Sequence, residues 1–572
     1  MTNAEIARVL ERIAIRLEID GANVFRVRAY KEGARIVAEH AEAMASLAGE
    51  PGGLEAIKGI GKDLAARIRD LVATGRTDVD DELRAKIPDD VVDFTQLQGL
   101  GPKRVKTLFE ELGIRDRAAL EAAAKAGSLR ELKGFGEKVE QNVLKALATA
   151  SQWAGRMLLA GAWPLAHALA GRVAAVKGVE QVELAGSFRR RKETVGDVDV
   201  LACGGDPGTV MEAFATHESV AEVLGRGDTK CSVRLKTGLQ VDLRLVPRES
   251  FGAALLYFTG SKEHNIELRK LAIERGWSLN EYGLTEGDRV IASRTEADVY
   301  RALGLAWIPP ELREARGEIE LAAADRLPKL VTRADLRADL HMHTTRSDGK
   351  HSIDEMVEAA RARGLAYVAI TEHSKALAMA NGFDAKRVRE SVKEIAAARK
   401  RHPGFPILHG LEVDILADGT LDLDDETLAL LDWVIVSIHS RFDQSPEDAT
   451  ARVLKALENP YVHAMGHPTG RLIGSREPVA FDVERVTRAA ARLGVAMEIN
   501  ASPDRLDLSD VHARIARANG CKFVIDTDAH ATGQLDQIEF GVFQARRAGL
   551  TAADILNALP YDEFRAAIRP RG

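Results

Sequence analysis

Between residues 340 and 349 the chain reads LHMHTTRSDG, with His341 and His343 one residue apart and Asp348 five residues further on. Residues i and i+2 share one face of a strand, so two neutral imidazoles at this spacing can meet one cation. A single H-x-H is weak evidence, but the pattern recurs at the ends of apolar, strand-like runs: AYVAITEHS, PILHGLEVDI, DWVIVSIHS, VHAMGHPTG and KFVIDTDAH. One such histidine reads as a satisfied core residue. Six segments ending in metal-capable side chains do not. Histidine with carboxylate and without cysteine favours Zn²⁺, Mn²⁺ or Fe²⁺ over a structural thiolate site.

A second set of carboxylates lies upstream, in VEQVELAGSFRRRKETVGDVDVL (179–201). A β-rich run ends in Gly186-Ser187, basic residues follow, and Asp197 and Asp199 then alternate with valines. Period-two spacing puts both aspartates on one strand face, and LQVDLRLV (239–246) adds Asp242 on a second alternating strand. Three carboxylates on neighbouring strands suit two Mg²⁺ ions, which activate a hydroxyl and stabilise a leaving pyrophosphate. Alone, D-x-D reads as a solvated edge strand. The preceding G-S-x-x-R, able to hold a triphosphate with Arg190 neutralising its charge, makes the combination resemble the nucleotidyltransferase superfamily.

The first third holds an internal repeat: LEAIKGIGKDLAARI, FTQLQGLGPKRVKTL and LRELKGFGEKVEQNV. Each copy puts G-h-G before an amphipathic helix, at Gly59/Gly61, Gly99/Gly101 and Gly134/Gly136. The turn exposes backbone N–H groups at a helix N-terminus, where a phosphate oxygen is welcome. Lys62, Lys103, Arg104 and Lys138 add positive charge close by. One copy is an ordinary helix–turn–helix with a glycine cap. Three in one frame resemble the helix-hairpin-helix motif, which grips the DNA backbone without reading sequence.

These residues need several cores to position them. A chain of 572 residues suggests three to five domains. Its net charge of −7 divides unevenly: residues 1–337 hold 50 Lys+Arg against 51 Asp+Glu, and residues 338–572 hold 29 against 35. Eleven of the 15 histidines also lie in the second part, so two chemistries share one chain. The start, MTNAEIARVLERIAIRLEID, has helical periodicity and is expected to form a folded helix and not a signal peptide. With no apolar run able to span a bilayer, and Cys203, Cys231 and Cys521 few and far apart, the expectation is a cytoplasmic protein. From residue 339, strand-like runs alternate with helical stretches such as SIDEMVEAARARG. Ligands at strand C-terminal ends then describe a barrel of β/α units whose active site collects at that end.

The segment YFTGSKEHNIELRKLAIERGWSLNEYGL (257–284), with the hairpins and the nucleotidyltransferase run before it, closely resembles the family X DNA polymerases, of the polymerase beta type. The resemblance covers roughly residues 1–318, with its parts in family order. The His-rich part, 338–572, resembles the PHP (polymerase and histidinol phosphatase) domain, a distorted seven-stranded β/α barrel with three metals. The resemblance implies a multidomain α+β and α/β fold: a helical N-terminal domain (1–88), a fingers-like helical domain with two further hairpins (89–150), a nucleotidyltransferase palm (151–250), a thumb (251–318), a linker (319–337) and the barrel (338–572).

Carried over residue by residue, the resemblance makes Asp197, Asp199 and Asp242 catalytic ligands of two Mg²⁺ ions. Gly186, Ser187, Arg190 and Gly196 would bind the triphosphate, with Gly260 and Lys262 nearby. Tyr257 and Phe258 would flank the incoming sugar and exclude a ribose 2′-hydroxyl. Asn265 would contact the incoming base, and Arg269 the template side. Lys262 departs from the acidic residue of the animal enzymes. Arg26, Lys31 and Lys62 would bind a 5′-phosphate. The lysine that carries lyase chemistry in the family is Arg67 here, and a guanidinium cannot form the Schiff base, so no lyase activity is expected.

In the barrel the resemblance assigns His341, His343, Glu412 and Asp528 to one metal, with Glu412 bridging to a second held by His439 and His467. Asp348, His373 and His530 would hold a third; the three ions would be Zn²⁺ or Mn²⁺. His351, His402, His409, His463 and His512 match no ligand position. The implied protein is a monomeric, nucleoid-associated repair polymerase that acts on gapped or nicked duplex DNA with dNTPs, has no membrane role, and trims 3′ ends through its barrel. Two other readings stand beside it: a polymerase fused to a small-molecule phosphatase, and a non-catalytic DNA-gap scaffold.

Overall fold

The computed structural model describes residues 1–568 except 2, 41, 51, 98–99 and 153–154, and divides into two compact units. The first unit, Met1–Ala154 with Gly474–Arg476, is helical. Helices α1 (Asn3–Ile19) and α2 (Val24–Glu39) pack along each other, and α2 is started by Asn23, whose side chain accepts from the Phe25 N–H at 2.8 Å. With α3 (Lys62–Thr74) they enclose a core of Leu10, Ile13, Leu17, Tyr30, Val37, Ile68 and Leu71. A second core of Val91, Val105, Leu108, Leu120, Val143 and Leu147 lies between α4 (Pro102–Glu111) and α5 (Glu137–Gln152). Arg16 is fully buried where the two cores meet, donating from Nη1 to Asp80 at 3.0 Å and from Nε to the Ile87 carbonyl at 3.2 Å.

In the second unit, Gly155–Ile473 with Glu477–Gly572, a five-stranded sheet, a helical segment with a small sheet and a barrel follow along the chain. The five-stranded sheet comprises β1 (Val179–Leu184), β2 (Asp197–Gly204), β3 (Val220–Arg226), β4 (Lys230–Leu235) and β5 (Gln240–Leu245), in the order β1-β2-β5-β4-β3. Only β2 and β5 run parallel. A one-turn helix, α6 (Gly186–Arg189), leads from β1 toward β2. Helices α7 (Phe251–Thr259) and α8 (Lys262–Glu274) follow, and with a small three-stranded sheet they build a core around Leu256, Leu268, Leu284, Tyr300 and Ile308. The stretch expected as a linker, 319–337, is packed: Leu330 joins that core, while Val331 and Leu336 join the core of the barrel.

The barrel has seven parallel strands in sequential order: β6 (Ala338–Asp339), β7 (Tyr367–His373), β8 (Ile407–Asp414), β9 (Trp433–Ser437), β10 (Ala464–Met465), β11 (Ala496–Asn500) and β12 (Phe523–Asp526). Every residue of these strands is buried, as expected where helices cover the outer face of a parallel sheet. An isolated parallel bridge between Met342 and Ala529 brings the first strand to the last. β7 and β8 contain a histidine, and β6, β9, β10 and β12 are each followed by one within four residues; β11 has none in it or close after it, and so it escapes the His-ended pattern of the sequence. The final long helix, α9 (Ile538–Arg547), turns one face away from the barrel: Phe543 and Phe540 enter the core of the five-stranded sheet beside Trp163.

Candidate active sites

On the five-stranded sheet, Asp199 of β2 stands in register with Asp242 of β5, and Asp197 lies two residues before it on the same strand. The Asp199 carboxyl is pushed up to about 6 by burial and by the charges of Asp197 and Asp242. Three carboxylates crowded so that one resists ionisation fit divalent cations, which would neutralise them. Gly186 has φ 63°, and a Cβ there would stand 3.0 Å from Asp199 Oδ2, so only glycine lets this turn lie against the acids. Ser187 follows within α6. Lys230 pairs with Asp242 at 3.1 Å.

Arg190 reaches across to the end of α7, donating from Nη1 to the Thr259 carbonyl at 2.5 Å beside Gly260. Tyr257 and Phe258 meet edge to face, with ring centroids 5.1 Å apart. Asn265 Nδ2 donates to the Tyr257 carbonyl at 2.8 Å, and the Arg269 guanidinium lies 5.4 Å from the Tyr257 ring centre. Gly196 directly precedes β2, and Lys262 is exposed at the first position of α8. Of the sequence-predicted nucleotide residues, Arg190 thus meets the Thr259–Gly260 end of α7, while Asn265 and Arg269 meet Tyr257.

At the barrel's C-terminal end the nine ligand candidates converge. Three groups could each hold a cation: His343, Asp348, His373 and His530; His341, His343 and Asp528; and His373, Glu412 and His439. His343 and His373 each belong to two groups, which the sequence does not indicate. Imidazole nitrogens of His341, His343, His373, His439 and His467 stand 2.7–3.8 Å from the Glu412 carboxylate. Yet both Glu412 oxygens, His341 Nε2 and His373 Nδ1 are buried with no hydrogen-bond partner among the described residues. Imidazole nitrogens and carboxylate oxygens crowded this closely and left without hydrogen-bond geometry fit cations. Two ligand residues hold left-handed backbone, His467 (φ 23°) and Asp528 (φ 54°), a sparsely populated conformation that clusters at functional sites.

The surrounding charges are uneven. Burial opposes protonation of His373 and His439, but the Glu412 carboxylate outweighs it and raises them to about 10 and about 9. His343 is pushed down to about 3 by burial and by His373 and His530; His467 falls to about 3 by burial and the Arg505 charge. Three functional side chains escape sequence reasoning. Glu498 of β11 lies 2.6 Å from His341 Nδ1, Asp414 lies 3.1 Å from His439 Nδ1, and Asn500 Nδ2 donates to Asp528 at 3.3 Å. Such partners fix which ring nitrogen faces a metal. A lone Glu in the apolar run AMEIN was the only available sign of Glu498. Of the unmatched histidines, His463 accepts from the Val434 N–H and stacks on Trp433, His402 faces Asp354 and Glu358, and His409 meets Ser391.

In the helical unit, α3 and α4 begin at Gly61 and Gly101 without a side-chain cap, which leaves first-turn N–H groups for another acceptor. Gly59 (φ 98°) and Gly134 (φ 85°) make the preceding turns, and Gly136 directly precedes α5. Gly99 lies outside the described residues. Lys62, Lys103 and Arg26 are exposed, whereas Lys31 is paired with Glu18 at 2.7 Å. Arg67 lies between Asp63 and Asp70, 3.6 Å from each.

The fold and sites define a nucleotidyltransferase joined to a metal-dependent phosphoesterase barrel. Family models agree: helix-hairpin-helix domain (residues 1–77), SAM-like helix-hairpin-helix tandem (91–149), DNA polymerase beta thumb (254–314) and PHP domain (339–502). The chain is 37% identical, over the full length of both chains, to the DNA polymerase/3'-5' exonuclease PolX of Bacillus subtilis (strain 168). The chain is also 30% identical over 234 residues to a probable phosphatase of Thermoanaerobacter sp. (strain X514), covering 38% of this chain and 89% of that one. A probable phosphatase of Syntrophotalea carbinolica is 28% identical over 38% and 90%. The chain belongs to the bacterial family X DNA polymerases that carry a C-terminal PHP domain.

Proposed function

We propose that this protein is a DNA-directed DNA polymerase that fills short gaps during base excision repair and trims 3′ ends with its PHP domain. The observation that carries this reading is the pairing of Asp199 with Asp242 beside the Gly186 turn, in a chain whose likeness to a polymerase/exonuclease runs end to end. Asp197, Asp199 and Asp242 would hold two Mg²⁺, which supply activation of a 3′-hydroxyl and stabilisation of pyrophosphate when bound. The Gly186-Ser187 backbone and Arg190 bind the triphosphate, and Gly196 leaves room for it. Tyr257 and Phe258 exclude a 2′-hydroxyl, Asn265 contacts the base, Arg269 the template, and Gly260 and Lys262 complete the pocket.

The nine barrel residues would hold Zn²⁺ or Mn²⁺, supplying an activated water and charge stabilisation at phosphorus. Glu498 and Asp414 turn His341 and His439 toward them. The helix-hairpin-helix glycines with Lys62, Lys103 and Arg26 hold the DNA backbone. The protein acts as a cytoplasmic monomer and, with Arg67 at the lyase position, performs no Schiff-base chemistry.

The likeness to probable phosphatases favours one second reading, a hydrolase of small phosphate monoesters. A metal-dependent time course on a one-nucleotide-gapped duplex, with and without dNTPs, run beside p-nitrophenyl phosphate hydrolysis, separates the two. The proposal expects addition of one nucleotide with dNTPs and 3′ shortening without them. Monoester hydrolysis with an intact 3′ end would favour the second reading.

A further inference from the structure

The loop that carries Arg190 is held from behind by the barrel domain. Arg547, at the end of α9 and 2% exposed, donates from Nη1 to the Arg190 carbonyl at 2.7 Å. The same Nη1 donates to Glu314 Oε1 at 3.0 Å, and Nη2 to Asp510 at 2.8 Å. Glu314 Oε1 also accepts from Arg190 Nε at 3.1 Å, so one carboxylate is shared by two guanidinium groups. The next loop residue, Arg191, stacks its guanidinium 4.6 Å from the ring centre of Phe543 of α9. Glu193 accepts from Gln544 of α9 at 2.8 Å and from Arg471 at 2.5 Å. Arg190, Arg191 and Glu193 are therefore each gripped by the barrel domain. Arg547 Nε is buried without a hydrogen-bond partner among the described residues, an unfavourable placement that a purely space-filling role does not call for.

We propose that Arg547, a residue of the phosphoesterase domain, is a positioning residue of the polymerase's triphosphate site. Its bond to the Arg190 carbonyl seats its guanidinium against the loop, where its charge shares Glu314, so that the carboxylate does not capture Arg190 alone. Without Arg547, Glu314 pairs fully with Arg190, and an incoming triphosphate must compete for that guanidinium. The polymerase site thus depends on the barrel domain for more than proximity to DNA. The inference rests on the reading of Arg190 as the triphosphate contact, and the experiment tests that reading separately.

Steady-state gap filling by the full-length protein on one-nucleotide-gapped DNA gives KM for dNTP and kcat for each variant, with 3′ shortening in Mn²⁺ as the check on folding. Arg547→Met should raise KM about tenfold, the scale of one lost charge-assisted hydrogen bond, with kcat within about twofold and 3′ shortening unchanged. Adding Glu314→Gln to Arg547→Met should return KM to within about threefold of wild type, because the competing charge is gone. A packing role would show no such recovery. Arg547→Lys keeps the charge but cannot fork to three acceptors, so KM should rise about threefold. It carries the test if Arg547→Met loses both activities.

Unchanged KM in Arg547→Met or, where that variant does not fold, in Arg547→Lys overturns the inference. So does failure of the double variant to recover. Arg190→Met should itself raise KM. If it does and the Arg547 variants do not, the inference alone fails; if Arg190→Met leaves KM unchanged, the triphosphate reading fails and takes the inference with it.

Discussion

His341 is gripped at Nδ1 by the buried Glu498 carboxylate, 2.6 Å away, which turns Nε2 toward Glu412 and Asp528. The same Glu498 accepts the His467 backbone N–H, so one side chain orients parts of two ligand sets. Removing its charge while keeping its shape, Glu498→Gln, should weaken metal affinity about 10- to 100-fold, the usual loss when a ligand's outer partner is changed. A titration of 3′ shortening against Mn²⁺ should shift to higher concentration by that factor, while dNTP incorporation stays at wild type. An unshifted titration would show that Glu498 does not tune the ligands. At this scale the sequence was legible where residue type declares chemistry: His341, His343 and Asp348 are conspicuous, and the fold brings them together. Glu498 and Asp414 were not legible. A carboxylate inside an apolar strand signals a partner, but its identity depends on which strand lies alongside.

Among the elements, α9 is one whose role no local pattern announces. Its sequence, IEFGVFQARR, reads as an amphipathic helix of the barrel, but Phe540, Phe543, Gln544, Arg546 and Arg547 point to the palm and thumb. Apolar runs ending in metal-capable residues did mark six of the seven barrel strands, and the alternation of Asp197 and Asp199 with valine fits their places two residues apart on β2. It could not show that β2 and β5 pair in parallel register, since pairing is a long-range property.

Asp510 joins the same junction, accepting from Arg547 at 2.8 Å and Arg316 at 2.9 Å. Burial works against its charge, but the two guanidinium groups prevail and hold its carboxyl down at about 2. A carboxyl depressed in the folded state contributes its full stability above the unfolded value near 4 and loses it as pH falls toward about 2. Asp510→Asn should therefore cost about 2 kcal/mol in urea unfolding at pH 6. The gap between variant and wild type should narrow between about pH 4 and pH 2. A gap independent of pH would place the effect in packing instead of charge.

For the whole molecule, the division of charge and histidine along the sequence corresponds to two centres of different chemistry. The N-terminal repeats, the palm aspartates and the His-ended strands could each be read locally, and their order pointed to the family. What the sequence left hidden is that the second unit's palm, thumb and barrel are not beads on a linker: Leu330, Val331 and Leu336 are packed within 319–337, and Arg471 and Arg547 tie barrel to palm. The central claim is that one chain holds two separable metal-dependent activities on one DNA end. The most direct measurement is a time course on a 3′-labelled, one-nucleotide-gapped duplex with Asp199→Ala and with the double variant His341→Ala/His343→Ala, each with and without dNTPs. Asp199→Ala should lose extension, because an electrostatic contribution worth several kcal/mol disappears, and should still shorten the strand. The histidine double variant should extend normally and never shorten. Shortening by purified double variant at the wild-type rate, or extension by Asp199→Ala, would contradict the account.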